Sequence, residues 1–208
     1  MSIKTYDDLD SMQLDALKEI GNIGSGNAAT ALSATIGKPV NIDVPTVEIL
    51  DINDAVEVLG GAEKIVAGIL VKLEDGIHGA MMSIQTLEVV NLMLESLLGS
   101  TVESLEDLDE MQSSAIAEIG NILMGSYVNA IADMTGTAIN LSPPGVAVNM
   151  LGGLITVPMA MYCYEAEKIM MIEGQFSFEG TKHRNNLLLI PDVESLKRIL
   201  TKLGVYNE

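Results

Sequence analysis

Residues 19–23 read EIGNI, and residues 118–122 read EIGNI again, 99 positions later (118 − 19). In each copy a glutamate and an asparagine, three residues apart, lie among apolar neighbours. Further residues repeat at the same interval, and they extend the match well beyond five letters. These pairs are Asp15 with Ser114, Gly26 with Gly125, Gly37 with Gly136, and Pro45 with Pro144. An internal repeat on this scale predicts two structural copies related by a pseudo-two-fold axis.

Each half of the chain is predicted to run from a long helix that contains EIGNI to a shorter closing helix. The first long helix is expected from Asp8 to about Ile36, ending at Gly37, and its counterpart spans about 107–135. Thr86 is expected to cap the first closing helix, over 87–98, and Asp192 to cap the second. The order of elements therefore repeats along the chain.

Strands are predicted between the long and the closing helices of each half. They are expected at 40–50, 65–73, 79–84, 138–142, 146–150, 155–162, 168–178 and 185–190, with a short helix at 54–59. The segment between the halves is acidic and contains no run of proline, glycine or serine. We therefore expect one domain over residues 1–208, made of repeats at about 8–100 and 107–205 and sharing one sheet.

The glutamate and the asparagine of EIGNI lie on one face of the predicted helix. At 100° per residue from Asp15, Glu19 falls at about 40°, Asn22 at about −20° and Gly26 at about 20°. Ser11, Lys18 and Ser25 share this side. The apolar side is assigned Met12, Leu14, Ala16, Leu17, Ile20 and Ile23. The second helix repeats the polar stripe with Ser114, Glu118, Asn121 and Gly125, so each helix is amphipathic around the same residue types.

The glycines of these helices need an explanation, because glycine in a helix costs about 1 kcal/mol relative to alanine. Gly21 and Gly24 lie on the apolar side of the helix. Close packing on the sheet is as good an explanation for these two glycines as a functional role. Gly26 and Gly125 lie on the polar stripe, where a bare backbone lets a partner's backbone approach. The letters GSGNAA at 24–29 match a dinucleotide fingerprint, but that motif requires a preceding strand and the preceding segment has helical periodicity.

Composition excludes several classes of function. The net charge of −18 disfavours nucleic acid and anionic membranes as partners. Cys163 is the only cysteine, and His78 and His183 are the only histidines, which is too few for a zinc site. We expect no cofactor or metal of its own and, since the N-terminus has no apolar signal region, a cytoplasmic location.

The apolar content of the chain is expected to form a core rather than a membrane span. The uncharged stretch 134–164 contains prolines and glycines that favour short buried strands and turns. The chain has 13 methionines but only two phenylalanines and no tryptophan, so methionine is expected to fill the core in place of aromatic rings.

The asparagine of each copy suggests a chemistry. A carboxamide is a poor base at neutral pH, but it can hold a water molecule by accepting one hydrogen bond and donating another. Phosphoryl transfer is helped in this way, because its transition state needs positioning and charge neutralisation more than a strong base. The glutamate one turn earlier can pair with a partner's lysine. Since the stripe has no phosphate cradle or metal ligands, a partner would have to bring the phosphate.

At these residues the chain resembles the CheC/CheX/FliY family of chemotaxis phosphatases. The family motif is Asp or Ser, three residues, Glu, two residues, Asn, and Pro after a gap of 22. It is matched twice, by Asp15, Glu19, Asn22 and Pro45 and by Ser114, Glu118, Asn121 and Pro144. Two motifs in 208 residues favour the CheC branch. CheX-like members carry one motif in a shorter, dimerising chain, and FliY-like members add a flagellar switch domain.

The resemblance implies a mixed α/β (α+β) fold, with both motif helices on one outer face of an antiparallel sheet of six or more strands. It implies a hydrolase that removes the aspartyl phosphate of the response regulator CheY. Asn22 or Asn121 would orient the attacking water, and Glu19 or Glu118 would bind a regulator lysine. The regulator would carry Mg²⁺, and the receptor deamidase CheD would be a second partner. Because the chain already contains two copies, we expect a monomer.

Two other classes of function stay open at this point. The helices could bind phosphorylated CheY or CheD without catalysis and act by sequestration. A metabolic or small-molecule enzyme is the third class, and no cofactor or metal motif supports it. Turnover with less than one equivalent of the chain would separate catalysis from sequestration.

Overall fold

Each half of the chain contributes the same order of helices and strands to the fold. The structure is a computed structural model that describes residues 3–43, 45–162, 168–178 and 181–207. The first half contains α1 (Ser11–Ile36), β1 (Val40–Ile42), β2 (Thr46–Asp51), α2 (Ile52–Val58), β3 (Ile65–Asp75), β4 (Gly79–Gln85) and α3 (Leu87–Leu98). The second half contains α4 (Glu110–Thr135), β5 (Ile139–Leu141), β6 (Gly145–Met150), α5 (Leu151–Tyr162), β7 (Lys168–Phe178), β8 (Thr181–Pro191) and α6 (Val193–Lys202).

One antiparallel sheet of eight strands joins the two halves, in the order β1-β7-β8-β4-β3-β5. Strand β2 also pairs with β7, and β6 also pairs with β3. The short strands β1 and β2 of the first half therefore pair with the second half, and β5 and β6 pair with the first. Strands β4 and β8 pair at the centre. The predicted mixed α/β fold with a large antiparallel sheet is confirmed.

Helices cover both faces of the sheet. On each face, one apolar cluster fills the space between the helices and the sheet. The larger cluster includes Leu17 of α1, Leu94 of α3, Ile119 of α4 and Leu196 of α6. The smaller cluster, on the opposite face, includes Ile155 of α5 together with residues of α2. Strand residues alternate between the clusters, as the period of two requires. The two motif helices, α1 and α4, therefore share one face of the sheet, as predicted.

A capping box fixes the start of each motif helix. Asp10 accepts a hydrogen bond from the Gln13 backbone N–H at 2.9 Å, and the Gln13 side chain accepts one from the Asp10 N–H. Asp109 and Gln112 make the same two bonds. Such a box satisfies backbone donors that the first helical turn leaves unpaired. The helices therefore begin at Ser11 and Glu110, three residues later than the sequence predicted.

Both motif helices end at a glycine in the left-handed region. Gly37 has a φ of 71° and Gly136 has a φ of 63°. Residues with a side chain rarely adopt such positive φ values. The predicted ends of the two helices are therefore correct. Thr86 occupies the N-cap position of α3, but its side chain makes no capping hydrogen bond. The capping role predicted for Asp192 is confirmed, because it accepts from the Ser195 N–H.

The prediction of a strand at 155–162 is wrong, because this segment lies in helix α5. Its buried residues recur at helical spacing and pack on the smaller apolar cluster. These residues are Leu151, Leu154, Ile155, Pro158 and Met159. The apolar run and Pro158 suggested a strand, whereas burial at i, i+3, i+4, i+7 and i+8 is a helical pattern. Cys163 lies outside the described residues.

The predicted strand at 40–50 is two strands rather than one. Strand β1 ends at Ile42, and β2 begins at Thr46, immediately after the buried Pro45. Both strands pair with β7. Proline has no N–H for the ladder, so the break falls where a continuous strand would lose a hydrogen bond.

Helix α4 is long and apolar enough to cross a membrane by length and composition alone. In the structure 56% of its most apolar 18-residue window is buried inside the fold. A buried core helix of a folded domain passes the same test. Several methionines share this core, as predicted, and they include Met81, Met93, Met124 and Met170.

Candidate functional site

Helix α1 presents the polar stripe of the first motif to solvent. Asp15, Glu19, Asn22 and Gly26 are all exposed. The Asn22 Nδ2 lies 3.5 Å from the Glu19 Oε2, a long hydrogen bond within one turn. The two groups predicted to act together are therefore neighbours on the outer face of α1. Both polar side chains are available to another molecule.

Helix α4 presents the second stripe with a different degree of exposure. Ser114 and Glu118 are exposed, whereas Asn121 and Gly125 are half-buried. The Ser114 hydroxyl donates to the Glu110 backbone carbonyl at 2.8 Å, so it is held by its own helix. The second site thus has the same residue types as the first, but its carboxamide is set closer to the body of the protein.

The first residue of the motif differs between the sites, and its surroundings differ too. The Asp15 carboxylate lies 3.2 Å from the Lys18 ammonium, and both side chains are exposed. At the repeat positions the second helix has Ser114 and Ala117, which cannot form an ion pair. An exposed pair of this kind contributes little stability. Its consequence is local: the first site has a cation on the stripe that the second lacks.

Glycines hold both motif helices close to the sheet. A Cβ at Gly21 would lie 2.8 Å from the Val47 side chain and 3.7 Å from that of Pro45. A Cβ at Gly120 would lie 2.6 Å from Ile69. Close packing therefore explains these two glycines. Each lies one residue before the motif asparagine, so the contact also fixes the height of the carboxamide above the sheet.

Tyr127 of α4 packs against α1 and so joins the two motif helices. Its ring fills the space over Gly24, where any Cβ would overlap the ring atoms. Its hydroxyl and the Ser25 hydroxyl lie 2.8 Å apart in the core. Burial raises the pKa of Tyr127, although the hydrogen bond with Ser25 opposes that shift. Ser25 was assigned to the polar stripe by the helical wheel, and that assignment is wrong because it is buried against α4.

The glycines of the polar stripes have free space above them. Nothing lies within 4 Å of a Cβ placed on Gly26, and for Gly125 only Leu141 reaches that distance. Neither glycine adopts a positive φ. Internal packing and backbone conformation therefore give no reason for glycine here. Motif proline Pro45 is buried beside Gly21, whereas Pro144 is half-buried just before β6.

Two apolar residues of α1 were placed on the wrong side of the helix by sequence reasoning. Met12 is 65% exposed and Ile23 is 37% exposed, so both border the polar stripe. Met111, at the repeat position of Met12, is 68% exposed. The helical wheel of α1 already indicates that Met12 lies on the polar side. Met12 falls at about 60° from Asp15, next to Glu19 rather than opposite it.

The described residues contain no group of three histidine, cysteine, aspartate or glutamate side chains able to hold a metal ion. His183 is buried on β8, with its Nδ1 3.2 Å from the Glu88 carboxylate. What the stripes offer is a carboxylate and a carboxamide on an accessible helix face. Such groups can pair with a cation and orient a water molecule in a pocket supplied by another protein.

Comparison with known proteins places this arrangement in a family. A sequence profile of the CheC-like family matches residues 12–49 and 111–148, which contain both motif helices almost entirely. The CheY-P phosphatase CheC of Bacillus subtilis (strain 168) is 30% identical over 196 residues, which is 92% of this chain and 94% of that protein. The chain belongs to the CheC-like family. The matched segments start 99 residues apart (111 − 12), the interval between the EIGNI copies.

Two further similarities support the CheC-like assignment. The flagellar motor switch phosphatase FliY of Bacillus subtilis (strain 168) is 32% identical over 148 residues, 69% of this chain and 38% of that longer protein. The crystal structure of Thermotoga maritima FliY superposes with a TM-score of 0.77 at 25% identity, covering 95% of this chain and 98% of that one. The CheC and FliY relatives are both named phosphatases, which makes a phosphatase, and hence a hydrolase, the activity class of this chain.

Proposed function

We propose that this chain hydrolyses the aspartyl phosphate of the chemotaxis response regulator CheY, and that both motif helices carry an active site. The observation that carries the proposal is the pair of accessible Glu–Asn faces, Glu19 with Asn22 and Glu118 with Asn121. The CheC relative is named for CheY-P, and it aligns with nearly the whole chain. The substrate and the residue roles are inferences from this match and from the chemistry of the side chains.

The proposed reaction needs only a positioned water molecule. Water attacks phosphorus in line with the bond to the regulator's aspartate, a new P–O bond forms, and the aspartyl P–O bond breaks. The products are inorganic phosphate and the free carboxylate, and the water's protons pass to phosphate and solvent. A carboxamide from Asn22 or Asn121 accepts from this water and fixes its direction, and Mg²⁺ held by the regulator would supply the neutralisation of the phosphoryl charge.

The glutamates and the flanking residues have supporting roles in this proposal. Glu19 or Glu118 pairs with a lysine of the regulator and so fixes the carboxamide one turn away. The long hydrogen bond from Asn22 to Glu19 is weak enough to be exchanged for these contacts. Gly26 and Gly125 leave the backbone bare for close approach. Pro45 and Pro144 lie before β2 and β6, and Asp15 and Ser114 open each stripe.

The wider setting of the chain is also a proposal. We infer one domain over 1–208 with repeats at about 8–100 and 107–205, because the short strands of each half pair with the other half. The same exchange of strands between the halves supports a monomer.

A cytoplasmic location, and the absence of nucleic acid and membrane as partners, agree with chemotaxis relatives and a net charge of −18. Binding of CheD stays a prediction from the family.

The test is multiple-turnover hydrolysis. Phosphorylated CheY, with Mg²⁺ and a small phosphodonor, is mixed with the chain at about one hundredth of the regulator concentration, and phosphate release is followed. We expect Asn22→Ala combined with Asn121→Ala to reduce release to the regulator's own rate, because water is then no longer oriented. The matched control is Asn27→Ala combined with Asn41→Ala, two exposed amides off the stripes.

The outcomes separate the competing functions. Many phosphates released per chain, lost only in the motif variant, support catalysis by the carboxamides. A chain that binds phosphorylated CheY but does not accelerate phosphate loss is a sequestering protein, and the proposal fails. Unchanged activity in the motif variant, with thermal unfolding unaltered, removes the role of the asparagines.

A further inference from the structure

Two methionines are the most exposed large apolar side chains in the described part of the chain. Met12, in the first turn of α1, is 65% exposed, and Met111, in the first turn of α4, is 68% exposed. They occupy the same repeat position, 99 residues apart (111 − 12). Single exposed apolar residues are ordinary on protein surfaces. The same exposed methionine at the start of both motif helices is a more specific pattern.

Each methionine lies on the motif face of its helix. Met12 precedes Glu19 by seven residues, and Met111 precedes Glu118 by seven. Seven residues are almost two turns, so each methionine lies within about 20° of its glutamate and roughly 10 Å from it along the axis. A protein that covers the glutamate and the asparagine therefore reaches the methionine as well.

Capping does not account for these methionines, although it accounts for their neighbours. Gln13 and Gln112 are kept in both copies because each closes a capping box. Other adjacent positions differ between the copies: Ser11 corresponds to Glu110, and Leu14 corresponds to Ser113. Each methionine is kept amid this divergence, yet most of its side chain is in solvent. The part of each methionine that packs against the protein is therefore too small to explain why the residue is the same in both copies.

We propose that Met12 and Met111 are docking residues for the phosphorylated response regulator, each packing on an apolar patch beside the regulator's acyl-phosphate pocket. This inference rests on the proposed function, and the regulator is chosen as occupant because the methionines continue the Glu–Asn surface. Methionine is unbranched and adaptable, so it packs on a surface whose shape it does not match closely. The contact is made equally in the ground and transition states, so it acts on KM rather than kcat.

The experiment uses chains with one working site. In an Asn121→Ala background only the α1 site is intact, and we expect Met12→Ser to raise KM for the phosphorylated regulator about tenfold with kcat unchanged. In an Asn22→Ala background Met111→Ser has the same effect. Met12→Leu restores most of the affinity because it restores apolar contact. The matched control is Met150→Ser, a methionine 50% exposed at the end of β6, which leaves both constants unchanged.

The results bear on the two proposals separately. If the paired asparagine variant retains full activity, the proposed function fails whatever the methionines do. If the asparagines are essential but Met12→Ser leaves KM unchanged, the docking role is overturned. A fall in kcat at constant KM also overturns it, as does a change in molecular mass by ultracentrifugation without a change in KM, since the methionine would then mediate self-association. A KM effect confined to the matching site supports the proposal.

Discussion

The two motif helices share their ends and their Glu–Asn pairs, but they differ in how their inner faces pack. Both have 26 residues, a capping box at the start and a left-handed glycine at the end. Their inner faces diverge: α1 has Gly24 and Ala28 where α4 has Leu123 and Tyr127. A large ring from one helix therefore fills the space left by the other. The polar stripe is kept although the packing beneath it is not symmetric, so packing alone does not dictate the stripe.

The substitution expected to disturb this asymmetric packing most is the removal of the Tyr127 ring. We expect Tyr127→Ala to lower the free energy of unfolding by about 3–5 kcal/mol, because a fully buried ring is replaced by a cavity between α1 and α4. Tyr127→Phe keeps the ring and loses only the hydrogen bond to Ser25, at a cost of about 1 kcal/mol. Urea unfolding measures both. Equal losses in the two variants would mean that the ring is not what joins the helices.

A second comparison uses two glycines of the same helix. We expect Gly24→Ala to lower the free energy of unfolding by about 1–3 kcal/mol, because its Cβ overlaps the Tyr127 ring. Gly26→Ala should raise it by about 0.5–1 kcal/mol, since its Cβ meets nothing and alanine favours the helix. Thermal unfolding of both variants checks the signs. A gain in stability for Gly24→Ala would contradict the packing described for Tyr127.

Sequence reasoning located the polar stripes because their evidence is local. The EIGNI repeat and the 100° period placed Glu19 and Asn22 on one face, and the structure finds both exposed there. The same reasoning missed the burial of Ser25, which depends on Tyr127, a residue 102 positions away. No periodicity within α1 contains that information. Long-range packing decides which edge of an amphipathic helix is covered.

Helix α5 was missed for a different reason. The segment 155–162 is apolar and contains Pro158, and a short apolar run does not distinguish a strand from a buried helix. The sequence held two usable signals. Apolar residues recur at helical spacing from Leu151, and the sequence predicts a helix after β2 in the first half. The repeat relates this segment to the helix of the first half, because α2 and α5 follow equivalent strands.

The smallest expected effect tests whether the two sites are equal. If each helix carries an independent site, Asn22→Ala and Asn121→Ala each leave part of the hydrolysis rate, and the two residual rates sum to the rate of the unaltered chain. Equal sites would each leave about half, a change of about 0.4 kcal/mol on a free-energy scale. A departure from half measures the combined effect of two differences between the sites: Asn121 is half-buried whereas Asn22 is exposed, and the Asp15–Lys18 ion pair has no counterpart on α4. Initial rates below saturation with phosphorylated CheY are the measurement. A sum well below the unaltered rate would show that the two sites are coupled, and the picture of two independent sites would be wrong.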